Sequence, residues 1–210
     1  VQWMVPWSMN DGTVAWMNRI NLETIEKLLS RVQKPARYMG RELNMIVKED
    51  AHFRMALSYP DLYEVAMSNN GIRILYDIVN AMEGAACERV FAVSDDFAEA
   101  LRSDGVPLYT LETFTPLSRL DLIGFNLSHE LLFTNVLQIL DLGGIPLRRR
   151  DRGEGAPMVI AGGEAVSNPF PMGDFIDAFF IGDGEEGLVD IVKTLMAAKG
   201  EGLDRARTLD

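Results

Sequence analysis

Four short stretches carry the side chains that could do chemistry, and each sits where an apolar run gives way to small or polar residues. The first is Ser68-Asn69-Asn70-Gly71, which brings a hydroxyl and two amides to the start of a helical pattern. Free amide protons at a helix start, with such side chains beside them, can hold a polar ligand group. Plain N-capping by Asn69 or Asn70 is the competing reading, because these residue types do it routinely. The second stretch, Gly124-Phe125-Asn126-Leu127-Ser128-His129, offers Asn126 and Ser128 as hydrogen-bonding groups. Ser128-His129 also invites a nucleophile and base, but neighbours on a strand point to opposite faces and no partner acid is specified.

The third stretch is Gly162-Gly163, which clears side chains where a ligand or a crossing segment must approach the backbone. The fourth, Gly182-Asp183-Gly184-Glu185-Glu186, has the look of a phosphate-binding loop. Its two carboxylates already complement the positive helix end and repel phosphate, and the spacing does not fit a dinucleotide fingerprint. Gly184 and Glu185 are expected instead to meet hydroxyl or amide donors. No catalytic residue and no metal site is expected, since His52 and His129 are the only histidines and are far apart in sequence. The run Arg148-Arg149-Arg150-Asp151-Arg152 reads as a solvated loop rather than an anion site.

The elements that must position these turns follow from hydrophobic periodicity. Phe53–Ser58, Arg89–Val93, Val106–Leu111, Asp121–Leu127, Met158–Ala161 and Ala178–Ile181 read as strands. Gly71–Met82, Asp95–Ser103, Leu131–Leu142 and Glu185–Ala198 read as the helices between them. Alternation of this kind predicts an α/β fold, a Rossmann/flavodoxin-like parallel sheet with helices on both faces. In such sheets the loops at the carboxyl ends of the strands line the ligand crevice. The domain spans residues 53–200, preceded by an extension (1–52) with a helix near 21–33 and followed by a tail (201–210). Residues 1–20 hold all three tryptophans without a clear period and fit a mobile arm, a docking segment or a tag remnant. Opening on Val1 suggests a processed or shortened chain.

Composition narrows the partners. Among 210 residues, 48% are apolar, enough for a substantial core, and 31 acidic against 20 basic residues give a charge of -11. That field repels phosphate polymers and anionic lipid head groups, so neither nucleic acid nor membrane is expected as a partner. Cys87 is the lone cysteine, so an intrachain disulfide or a cluster on three thiolates cannot form, and a cytoplasmic location is expected.

Several motifs in one order carry a resemblance. Lys34-Pro35-Ala36-Arg37-Tyr38, Tyr59-Pro60-Asp61-Leu62-Tyr63-Glu64-Val65, Ile74-Leu75-Tyr76-Asp77-Ile78, Thr134-Asn135-Val136-Leu137, Val159-Ile160-Ala161-Gly162-Gly163 and Ile181-Gly182-Asp183-Gly184-Glu185-Glu186 resemble the N-terminal domain of a group of radical S-adenosylmethionine proteins. That domain is cobalamin-binding-like. The resemblance implies a layer lying against a catalytic barrel, the partner, which carries S-adenosylmethionine and a [4Fe–4S] cluster and lies outside this chain. The chain was therefore either cut before the barrel or stands alone, and by itself it binds rather than catalyses. Cobalamin is the cofactor the resemblance implies, around Ser68, Asn69, Asn70, Gly71, Asn126, Ser128, Gly162, Gly163, Gly184 and Glu185. Its nucleotide tail would run past Gly162 and Gly163. The cobalt-ligating pattern Asp-x-His-x-x-Gly is absent, because Ala66 and Ser68 stand where Asp and His belong when Gly71 is the anchor. Relatives tend to show Ser-His before a Leu-Gly pair, and here Asn69 holds the His place. Two further readings remain open: a cofactor-free docking wall for the barrel, and a small independent enzyme.

Overall fold

A computed structural model describes residues 19–209. Five parallel strands form one sheet: β1 (Phe53–Ser58), β2 (Ala85–Arg89), β3 (Leu122–Asn126), β4 (Met158–Gly162) and β5 (Ala178–Phe179), in the order β2-β1-β3-β4-β5. The interior strands are apolar almost throughout because both faces are covered, as a parallel sheet requires. The order reverses between β1 and β3, which leaves a crevice at their carboxyl ends. The fold class matches the sequence expectation.

The helices are α1 (Leu22–Leu29), α2 (Tyr63–Ala66), α3 (Asn70–Ala81), α4 (Asp95–Asp104), α5 (Phe133–Leu142), α6 (Gly184–Glu201) and α7 (Arg205–Leu209). The helices pack in two groups, α3 beside α6 and α4 beside α5, as right-handed crossovers of a doubly wound sheet require. Asn21 caps α1, its side-chain oxygen accepting the Thr24 N–H at 2.8 Å, and α1 buries Ile25 and Leu28 while packing against α4. The extension then crosses the domain: the Tyr38 ring stacks on Phe97 with centroids 3.9 Å apart, and the Lys48 ammonium donates to the carbonyls of Met82 and Ala85. The tryptophans lie outside the described residues. No helix among those described is long and apolar enough to cross a membrane.

Two strand expectations fail, for one reason. The second strand is Ala85–Arg89 rather than Arg89–Val93, because Glu88 and Arg89 are buried with partners distant in sequence and so looked like a boundary. Val106–Leu111 is not a strand. Its apolar side chains are buried, but its N–H groups go to single carbonyls elsewhere: Leu108 to Leu142, Leu111 to Arg89. Residues 201–210 include α7, whose Arg205 donates to Asp177 at the start of β5.

Candidate functional site

The carboxyl ends of β1, β3 and β4 and the facing sides of α3 and α6 enclose a slot of about 200 Å³. Its depth comes from Gly124 in the middle strand. Leu57 on β1 and Ile160 on β4 flank that position, and a methyl group there would sit 3.5 Å from Leu57 Cδ2 and 3.8 Å from Ile160 Cγ1. Leu75 of α3 and Leu188 and Ile191 of α6 form the apolar roof. The helices approach closely because Gly184 opens α6 against Leu75, with 3.4 Å between a would-be Cβ and the leucine.

Six of the ten residues singled out in the sequence line this slot: Gly71, Asn126, Gly162, Gly163, Gly184 and Glu185. The other four do not. Asn69 caps α3, its side-chain oxygen accepting the Ile72 N–H at 3.0 Å, so the capping reading describes it. Asn70 is the exposed first residue of α3. The Ser68 hydroxyl donates to the Val65 carbonyl at 2.7 Å. Ser128 pairs with the Tyr59 hydroxyl at 2.7 Å, and the same hydroxyl lies 3.5 Å from His129 Nε2.

Polarity in the slot is sparse. Asn126 and Glu185 are its two polar side chains, no cation lines it, and neither side chain makes a hydrogen bond to another described residue. The Asn126 amide fits between two glycines: a methyl on Gly71 would stand 3.2 Å from Nδ2, and one on Gly163 would stand 2.7 Å from Oδ1. Gly163 also has a backbone reason, since its φ of 102° suits glycine and its Cα packs against the Leu127 carbonyl. Gly162 is different, because a methyl there would meet only the Phe180 carbonyl, at 3.6 Å. Gly162 therefore leaves real space beside the slot.

Sequence reasoning missed Phe180 and Gly124. The signal for Gly124 was present, a glycine inside an otherwise apolar strand, which marks a place where something approaches the backbone. A wider, more polar hollow of about 440 Å³ lies at the opposite edge, but Lys199 and Arg205 there are already bonded to Asp121 and Asp177. Its charges stabilise the fold, and it lies away from the strand ends where such sheets bind ligands. Among the described residues no three His, Cys, Asp or Glu side chains gather as metal ligands would.

A doubly wound sheet with a glycine-floored slot over its carboxyl edge is the frame, and the sequence comparison supplies the lineage. Residues 71–210, about two thirds of the chain, match the family described as the N-terminal region of radical SAM proteins. The chain belongs to that family. A search of curated proteins finds no match.

Proposed function

We propose that this chain is a non-catalytic binding module of a radical S-adenosylmethionine protein, and that its slot receives the nucleotide tail of a cobalamin. The observation that carries the reading is the apolar slot floored by Gly124 and opening past Gly162. At about 200 Å³ it is smaller than the roughly 300–1,000 Å³ that encloses a whole ligand, so it suits one part of a larger molecule. Leu57, Leu75, Ile160 and Leu188 would hold a flat base, and Asn126 and Glu185 would meet amide or hydroxyl groups at the mouth. The corrin would lie over the strand ends. Ser68, whose hydroxyl donates to the Val65 carbonyl, stands where the cobalt-ligating pattern has histidine, so no imidazole from this turn would hold the cobalt. Cobalamin would supply an organometallic or redox-active cobalt to chemistry carried out beyond this chain.

Titration with hydroxocobalamin, followed by desalting, tests the reading. We expect a spectral change and retained pigment in the wild-type chain, both lost in Gly124→Leu, which fills the floor. No spectral change and no retained pigment would overturn it.

A second role for the same edge has its own support. Val65, Leu131, Phe170 and Ile181 all project from connections at the carboxyl ends of the strands, with Phe170 90% and Leu131 84% exposed. Exposed apolar groups on the connections that follow β1, β3, β4 and β5 suit a docking wall for the catalytic barrel. The loops carrying Leu131, Phe170 and Ile181 should exchange amide hydrogens more slowly in a protein that includes the barrel than in this chain alone. Equal rates would remove the docking role.

A further inference from the structure

We propose that Phe180 is the wall of the slot that selects a flat, uncharged heteroaromatic group, and that the glycines following it are there to seat its ring. The inference rests on reading the slot as a ligand site, and it concerns which ligands the slot accepts. Phe180 follows β5 directly and lines the slot. Its ring tip points at the Cα of Gly187 in the first turns of α6: a methyl on Gly187 would lie 2.0 Å from Phe180 Cζ. Gly182, with φ 147°, also comes close enough that a methyl there would be 3.3 Å from the same atom. The Gly182-Asp183-Gly184-Glu185-Glu186-Gly187 stretch therefore acts as a cradle for an aromatic ring.

Charge completes the selection. Among the described residues no Lys, Arg or His lines the slot, while Asp183, Glu185 and Glu186 stand exposed at the start of α6. A phosphate entering here would meet carboxylates and find no cation. A neutral base can lie on the phenyl ring, flanked by Leu57 and Ile160, and its ribose hydroxyls can donate to Glu185 or bond Asn126.

The probes are dimethylbenzimidazole riboside, adenosine and adenosine monophosphate, with binding to the full chain measured by calorimetry and folding followed by circular dichroism. We expect the riboside to bind, the monophosphate to bind more weakly than adenosine, and Phe180→Ala to lose about tenfold in riboside affinity. Gly187→Ala should weaken binding comparably while the fold persists, because the group that must move is the free end of one side chain. In the Phe180→Ala background the same Gly187→Ala change should have no further effect, since no ring remains to displace. A merely structural role for Gly187 would not show that cancellation.

Wild-type riboside affinity in Phe180→Ala or Gly187→Ala, additive losses in the double variant, or tighter binding of the monophosphate than of adenosine would each overturn the proposal. If the riboside binds as described but hydroxocobalamin does not, the cobalamin reading fails and this one stands. If hydroxocobalamin binds equally well to wild type and Phe180→Ala, this proposal fails and the cobalamin reading stands. Binding of neither ends both.

Discussion

Along one sheet, the buried ion networks and the slot treat polar groups in opposite ways. Beside β2, the Arg89 guanidinium lies 4.4 Å over the Tyr76 ring, its Nε donates to Glu112 at 2.7 Å, and the other Glu112 oxygen accepts the Arg89 backbone N–H at 2.6 Å. Glu88 next to it takes Arg54, Thr110 and Thr113. Below β5, Asp177 holds Arg152 and Arg205. At the slot, by contrast, the half-buried Asn126 and the exposed Glu185 make no side-chain hydrogen bond to another described residue. Among the described residues the buried charges are each paired with an internal counter-charge, although Arg89 Nη2 has no hydrogen-bond partner, and the polar groups at the slot have open space beside them. That contrast can be attacked from both sides.

The largest effect is expected at Asp177. Its Oδ2 accepts from Arg152 at 3.0 Å and from the Val159 N–H at 2.7 Å, as well as from Arg205, and the Arg152 side chain is fully buried. Asp177→Ala leaves a buried guanidinium without its counter-charge, a loss of about 3–5 kcal/mol. Urea unfolding should show it directly. Ligand affinity of the folded fraction should be unchanged, because no group of this network lines the slot.

Next comes Gly163, which lines the slot and also packs its backbone against Leu127. A methyl there would stand 2.6 Å from the Leu127 carbonyl oxygen, and φ of 102° with ψ of 179° is a conformation that side chains other than hydrogen strain to adopt. Gly163→Ala should cost about 1–3 kcal/mol in unfolding experiments and should displace Asn126. A change that lowered ligand affinity with no loss of stability would reassign Gly163 from the fold to the guest.

A pH series sharpens the closed side. Burial raises the Glu112 carboxyl from 4.5 to about 7, against the lowering pull of Arg89. Its pKa is thus higher folded than unfolded, so folding takes up a proton between those values. The stabilising contribution is complete below about pH 4.5 and is lost as pH rises through about 7. Urea midpoints measured from about pH 5 to about pH 8 should fall for this reason, and Glu112→Gln should flatten that part of the profile.

How much of this was legible beforehand divides along the same line. Strand–helix alternation and the four glycine or amide turns are local signals, and local signals survive in a sequence. The register of β2 was not legible, since a strand containing Glu88 and Arg89 is unfavourable until Arg54 and Glu112 arrive from elsewhere. The misreading of Val106–Leu111 has the same origin: burial of Leu108, Tyr109 and Leu111 imitates a strand, but their backbone bonds reach Leu142 and Arg89 individually. Six candidate residues share one cavity because strand ends converge in a parallel sheet, whereas Asn69 is the helix cap that its residue type allowed, and Ser68 and Ser128 are committed to Val65 and Tyr59. Phe180 escaped notice because its ring packs against Gly187, across the turn between β5 and α6, where only the absence of a side chain leaves it room.

The smallest effect separates the two regions most cleanly. A methyl at Gly124 would find Leu57 Cδ2, Met55 Cε and Ile160 Cγ1 at 3.5, 3.6 and 3.8 Å, all ordinary contacts, and no strained φ opposes it. Glycine inside a strand is worse than alanine by roughly 0.5–1 kcal/mol, so Gly124→Ala should raise stability by about that amount. The same methyl lies on the slot floor and should weaken binding of a flat ligand. Opposite signs in unfolding and in calorimetry would mean that Gly124 serves the guest at the expense of the fold, the reverse of Gly163. A variant that gained stability and kept full affinity would place the ligand elsewhere on the edge.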